Sequence, residues 1–166
     1  MSVIDIIVWI VILGVIAAGI VIAIHYGSDI RTASNVHSEQ QNTAALVADI
    51  RQAYQGYPDY STLSASELIN AKAVPSAITV SGTTLDNVFG NPITLAVNSG
   101  NSNAFDLTDE VPNAACAALA NSVLKNVTSL TINGSAITLP VTDPATIGQA
   151  CGTNQLVTLD ETYSGM

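Results

Sequence analysis

From Ile6 to Ile24 no position carries a charge or a strongly polar group. As a helix these residues span roughly 28 Å, close to the ~30 Å hydrocarbon core of a bilayer. A cleaved secretory signal fits poorly, because its apolar region is shorter, begins basic and ends at a small-residue cleavage site. A buried core helix also fits poorly, because the run is apolar on every face. The pattern predicts a membrane span.

The helical pattern continues past Gly27 but changes character. Between Asp29 and Tyr54, apolar or small residues recur on one side at Ala33, Val36, Ala44, Val47, Ile50 and Tyr54. Gly56 and Pro58 end it. Residues 1 to about 54 thus read as one helix roughly 80 Å long. Three parts follow: an apolar helix half at 1–28, an amphipathic half at 29–56 and a head at 57–166. Gly14, Gly19 and Gly27 weaken the helix, each by about 1 kcal/mol relative to alanine. Gly14 and Ala18 stand at the spacing that lets helices approach closely, and they equally suit ordinary span residues.

The head alternates differently. Ser64 followed by Glu67 reads as a capping box for a short helix at about 64–72, closed by Pro75. Strand-like pieces follow at 78–80, 93–97 and 104–107, with turn or loop signals at GNP (90–92) and NSGNSN (98–103). Pro112 opens a second, alanine-rich helix at about 112–125. Asn133–Gly134 sits between two alternating runs, a strong hairpin signal. Residues 155–163 read as a last strand. The soluble part is therefore predicted as α+β, one sheet with the amphipathic helix half packed on it.

Composition narrows the function. Four basic against thirteen acidic residues give a net charge of −9, and the basic ones (Arg31, Arg51, Lys72, Lys125) do not cluster. Direct nucleic-acid binding is not expected, since phosphate contact needs clustered cations. Catalysis finds no support either: both histidines lie on the N-terminal helix, where His25 reads as interfacial and His37 as a helix-surface residue. The chain is read as no enzyme, with no cofactor and no metal. Asp106, Asp109 and Glu110 could hold calcium, but a solvated loop is the favoured reading. The DETY run near the end reads as solvent-facing. NVT and NGS match the N-glycosylation pattern, a weak signal alone. Cys116 and Cys151 are too few for a zinc site without histidines. In an exported chain they most simply form one disulfide; otherwise they are two buried thiols. A bridge would close about 36 residues and contribute roughly 3–4 kcal/mol.

Asp5 stands at the mouth of the apolar run, with no lysine or arginine before Arg31. An unpaired carboxylate at a membrane edge is costly. Two readings stay open: an anion facing the positive helix end, or an ion pair with an N-terminal amine, such as that of a neighbouring molecule. The missing basic flank fits either an unusual orientation or a removed basic leader.

The residues resemble the type IV pilins, and specifically the type IVb branch. MSVIDIIVWIVILGVIAAGIV resembles a mature pilin start: a hydrophobic first residue, an acid at position 5, then an apolar helix. AFDLTDEVPNAACAALANSV is similar to the type IVb strand that leads into a helix bearing the first cysteine. QACGTNQLVTL resembles the second-cysteine segment, and FGNPITL a turn and strand met in these pilins. Position 5 departs from the family's usual Glu, and Ile22 stands where many type IVa pilins carry a kinking proline. The resemblance implies a pilin fold: a long N-terminal helix on an antiparallel sheet, with a C-terminal disulfide. It implies a major pilin, held in the inner membrane with its head in the periplasm. A prepilin peptidase would cleave a leader and methylate the Met1 amine. Assembly machinery would then extract the subunit into an extracellular homopolymeric filament. Met1, Asp5, Gly14 and Gly19 would serve assembly, with Asp5 setting register against a Met1 amine. Adhesion, aggregation, motility, DNA uptake and conjugative mating all use such filaments. A minor pilin, a secretion pseudopilin or a single-span anchored periplasmic binding domain are the alternatives.

Overall fold

The computed structural model describes residues 31–165. The segment read as a membrane span, with Met1, Asp5, Gly14, Gly19 and His25, lies outside these residues. Among the described residues no helix is long and apolar enough to cross a membrane.

Helix α1 covers 31–53. Ala44, Ala45, Leu46 and Ala48 give its middle high helix propensity. It unwinds through a turn at 54–56, where Gly56 takes φ +97°, a conformation glycine adopts at no steric cost. Its buried side carries Val47 and Ile50, as the spacing predicts, and also Leu46, which that spacing leaves out. It also carries Glu39, Asn42 and Thr43, which a search for apolar positions passes over. Ala33 and Ala44 are exposed, against expectation. At 3.6 residues per turn Ala44 lies about 160° round the helix from Leu46, so it faces away from the core.

Ser64 caps helix α2 (Ala65–Asn70), its hydroxyl accepting from the Glu67 N–H at 3.2 Å. The helix ends slightly earlier than expected. Lys72 takes φ +55°, and the amides of Lys72 and Ala73 donate to the carbonyls of Ile69 and Leu68. Those two bonds make the paired C-terminal closure that satisfies orphan carbonyls. Ser64→Ala is expected to cost about 1 kcal/mol in urea unfolding, with an unchanged denaturant slope.

The remaining elements follow in the order β1 (Thr79–Ser81), β2 (Thr84–Asp86), β3 (Pro92–Asn98), β4 (Asn101–Pro112), α3 (Asn113–Val123), β5 (Ser129–Ile132), β6 (Ser135–Ile137), α4 (Ala145–Cys151) and β7 (Leu156–Ser164). All the strands join one antiparallel sheet, ordered β1-β2-β3-β4-β7-β5-β6. The last strand in sequence is therefore interior, paired with β4 on one side and β5 on the other.

Most local signals land where they were read. Asn133 and Gly134 form the β5–β6 turn with φ +50° and +77°, the left-handed pair that a tight hairpin needs. Pro112 immediately precedes α3. Elsewhere the structure is more ordered than the composition suggests. NSGNSN does hold a turn, but a tight one confined to Ser99 and Gly100: Asn98 pairs with Asn101 across it, and β4 starts there. AFDL is the middle of a 12-residue strand. β2 and α4 are additional. Helix α4 follows Asp143, whose carboxylate accepts from the Ala145 N–H at 2.9 Å.

The two faces of the sheet differ. Phe105, Leu107 and Val111 of β4 join Val157, Leu159 and Tyr163 of β7 in a core that also takes Leu46, Val47 and Ile50 of α1. Ala115, Cys116, Leu119 and Ala120 of α3 complete it. The opposite face is a polar ladder. Thr108 donates to Asp160 at 2.7 Å, and Thr162 donates to Asp106 at 2.7 Å.

Candidate functional site

Two regions carry the head's distinctive chemistry: the seat of α1 on the sheet, and the corner where α3 meets α4.

The seat holds α1 by polar as well as apolar contacts. Gln40 donates to the Ala118 carbonyl of α3 at 3.3 Å. Arg51 donates through Nη2 to the Ser164 carbonyl at the end of β7, at 3.0 Å. Just before the first of these ties, Glu39 points into the core. One of its oxygens accepts from the Val88 N–H at 2.9 Å and the other from the Thr43 hydroxyl at 3.3 Å. Asp109 of β4 accepts from the Asn87 amide at 2.6 Å. Glu161 of β7 accepts from the Tyr163 hydroxyl. Asn87 also donates to the Glu110 carbonyl at 2.7 Å, while its own oxygen receives the amides of Phe89 and Asn91. That one side chain fixes the turn at 87–91 against β4.

Burial dominates the acid–base character of this seat. It pushes Asp109 up to about 8, against the Asn87 hydrogen bond, with Glu39, Glu161 and Glu110 adding repulsion. It pushes Glu161 up to about 7, with Glu39 and Asp160 adding to the shift. It raises Glu39 as well, although Val88 and Thr43 hydrogen-bond to it. Desolvation disfavours the charged form, and neutral donors offset only part of it.

Two readings are corrected here. Asp106, Asp109 and Glu110 are not a solvated loop but lie on β4. Side chains alternate along a strand, so Asp109 is buried on the core face while Asp106 and Glu110 stand on the other. The three cannot surround one cation. DETY is likewise not solvent-facing throughout. Glu161 and Tyr163 are buried, and Asp160 and Thr162 join the outer ladder. A parity reading would have found both. Asp109 shares parity with Phe105, Leu107 and Val111, and Glu161 with Val157 and Leu159.

At the corner, Cys116 near the start of α3 is bonded to Cys151, the last residue of α4. Both are buried. Asn113 donates to the carbonyls of Cys151 and Gly152 at 3.1 and 3.0 Å, and Asn133 to those of Ala150 and Cys151 at 3.2 and 3.3 Å. The Asn133 oxygen accepts from the Thr158 N–H. Asn133 of NGS is thus hydrogen-bonded into the corner while still exposed, and Asn126 of NVT is exposed too. His37 is exposed and within hydrogen-bond distance of Gln41, as its helix-surface reading expects. Among the described residues no group of three His, Cys, Asp or Glu could hold a metal ion.

Residues 33–162 match the family described as PilS N terminal. The fold is similar to the crystal structure of TcpA, a type IV pilin from Vibrio cholerae El Tor biotype, with a TM-score of 0.58 and 16% identity over 79% of this chain and 99% of that one. It is also similar to the NMR structure of the type IVb pilin PilS from Salmonella typhi, with a TM-score of 0.50 and 22% identity over 78% of this chain and 96% of that one. No curated protein matches the chain.

Proposed function

The chain belongs to the type IVb pilin family, and from that premise we propose that it is a major pilin, a subunit that polymerises through its N-terminal helix into an extracellular filament. Pilins are structural and not enzymatic. The observation that carries the reading is a family match over 33–162 with an apolar run at 6–24 a short way before it. Such a run is stable in lipid or bundled with its own copies, and exchange between the two costs little because both exclude water. The subunit would therefore wait in the inner membrane with its head in the periplasm, and leave it for the filament. A prepilin peptidase and the assembly machinery are its expected partners. Adhesion or conjugative contact would be the filament's task.

Specificity in an apolar bundle must come from close packing and rare polar contacts. Gly14 and Gly19 supply the first, and Asp5 against a Met1 amine the second. Removing one partner of a buried ion pair costs about 3–5 kcal/mol. Asp5→Ala is expected to insert and fold normally while filament yield falls at least about tenfold. Sheared pili quantified beside membrane-fraction subunit give the answer. Normal yield would remove the ion-pair role, and filaments built chiefly of another chain would remove the major-subunit role.

A further inference from the structure

Glu39, Asp109 and Glu161 are 1%, 4% and 3% exposed. They come from three elements, α1, β4 and β7. On the shared core face, Asp109 lies opposite Leu159 and Leu107 opposite Glu161, so the two acids are diagonal neighbours about 7 Å apart. Glu39 descends from α1 onto Val88, the residue after the Asn87 that holds Asp109. The donors facing the three carboxyls are all neutral: Val88 N–H, Thr43, Asn87 and Tyr163. Among the described residues no cation is within ion-pair distance of them. The other titratable groups acting here are Glu110 of β4, Asp160 and Tyr163 of β7, and Arg51 of α1, which acts on Tyr163. β3 and β5 contain no titratable side chain, and α3 only the bonded Cys116.

We propose that this cluster is a proton-operated latch that holds α1 on the sheet while its carboxyls are neutral and loosens α1 as they ionise. The latch belongs to the folded subunit and goes beyond the filament reading, because it operates with or without polymerisation. Three negative charges sharing one buried interface repel each other, and among the described residues no cation pairs with any of them. The cheapest escape is to lift α1, because the sheet side is held by the long β4–β7 ladder. Solvent has a way in. A groove between α1 and α3 is lined by Gln40, Thr43, Val47, Arg51, Ser122 and Tyr163; Thr43 and Tyr163 are the hydrogen-bond partners of Glu39 and Glu161, and Arg51 acts on Tyr163.

The direction follows from linkage. Asp109, Glu161 and Glu39 all hold their protons more tightly folded than unfolded. Their stabilising contribution is complete below about pH 4 and is lost progressively as pH rises to about 8, with little further loss above.

The test uses the full-length chain in detergent, with amide exchange and urea unfolding at about pH 5, 7 and 8.5. After correction for intrinsic exchange rates, protection of the α1 amides at 39–50 is expected to fall at least about tenfold across this range. Protection at β1 and β2 should change much less. Asp109→Asn and Glu161→Gln keep the acceptor oxygens for Asn87 and Tyr163, so the pair should flatten the α1 response and raise the urea midpoint at the alkaline end. If those variants fail to fold, the native chain decides: pH-independent protection of α1 overturns the latch. Equal loss over α1, β1 and β2 overturns it too, as does a full response in variants that fold.

Discussion

Cys116→Ala with Cys151→Ala is expected to lower the head's unfolding free energy by about 3–4 kcal/mol, measured in urea and matched by the native chain unfolded under reductant. The bond closes a long loop, with a sequence separation of 35, and such closure removes much freedom from the unfolded chain. That is a large share of the ~5–15 kcal/mol available to a domain. Alanine is the informative replacement, since paired serines would add buried hydroxyls in need of partners. The loss should be local in the native state. Asn113 and Asn133 still grip the backbone of 150–152, and β7 keeps its pairings with β4 and β5. The sheet should therefore stay protected from amide exchange, while α4 and the 138–144 segment lose protection. In a filament the same variant should yield fewer pili. An undiminished urea midpoint after reduction would show that the corner's hydrogen bonds suffice without the sulfur bridge.

What the sequence made legible has a common physical character: signals complete within a few residues. Ser64 with Glu67, Asn133 with Gly134, and Pro112 before an alanine-rich run each specify a cap, a turn or a start by local sterics and hydrogen bonding. The family resemblance was legible because the acid at position 5 and the cysteine segments are local too. The seat of α1 was not. Glu39, Asp109 and Glu161 look solvent-bound by composition, and only their neighbours across the fold make them core residues. The signal was present as phase. Thr43, Leu46 and Ile50 follow Glu39 at helical steps, and strand parity places the other two among buried Leu and Val. β2 and α4 were hidden for a different reason. β2 is three residues long, and α4 carries Gly148 within it and Pro144 before it, so neither offers a periodic run of useful length. Their existence depends on what they pack against, which no window of sequence contains.

The second large effect concerns that seat. Leu46→Ala is expected to cost about 2–5 kcal/mol. Leu46 is fully buried between Thr43 and Ile50 on the inner line of α1. Helix propensity cannot explain a loss, because alanine is the better helix former. The cost must come from docking. It should fall in the upper part of the range, because the facing sheet is held by continuous ladders through β3, β4 and β7 and cannot collapse into the space. Ala48→Ser, on the exposed side of the same helix, should stay within about ±0.5 kcal/mol. Coupling sharpens the test. Leu46 and Asp109 act on one event, the seating of α1, so Leu46→Ala combined with Asp109→Asn should depart from additivity by at least about 0.5 kcal/mol at neutral pH. Strict additivity there would mean that apolar packing and the carboxyl cluster secure α1 independently. A substantial coupling would make them two halves of one attachment.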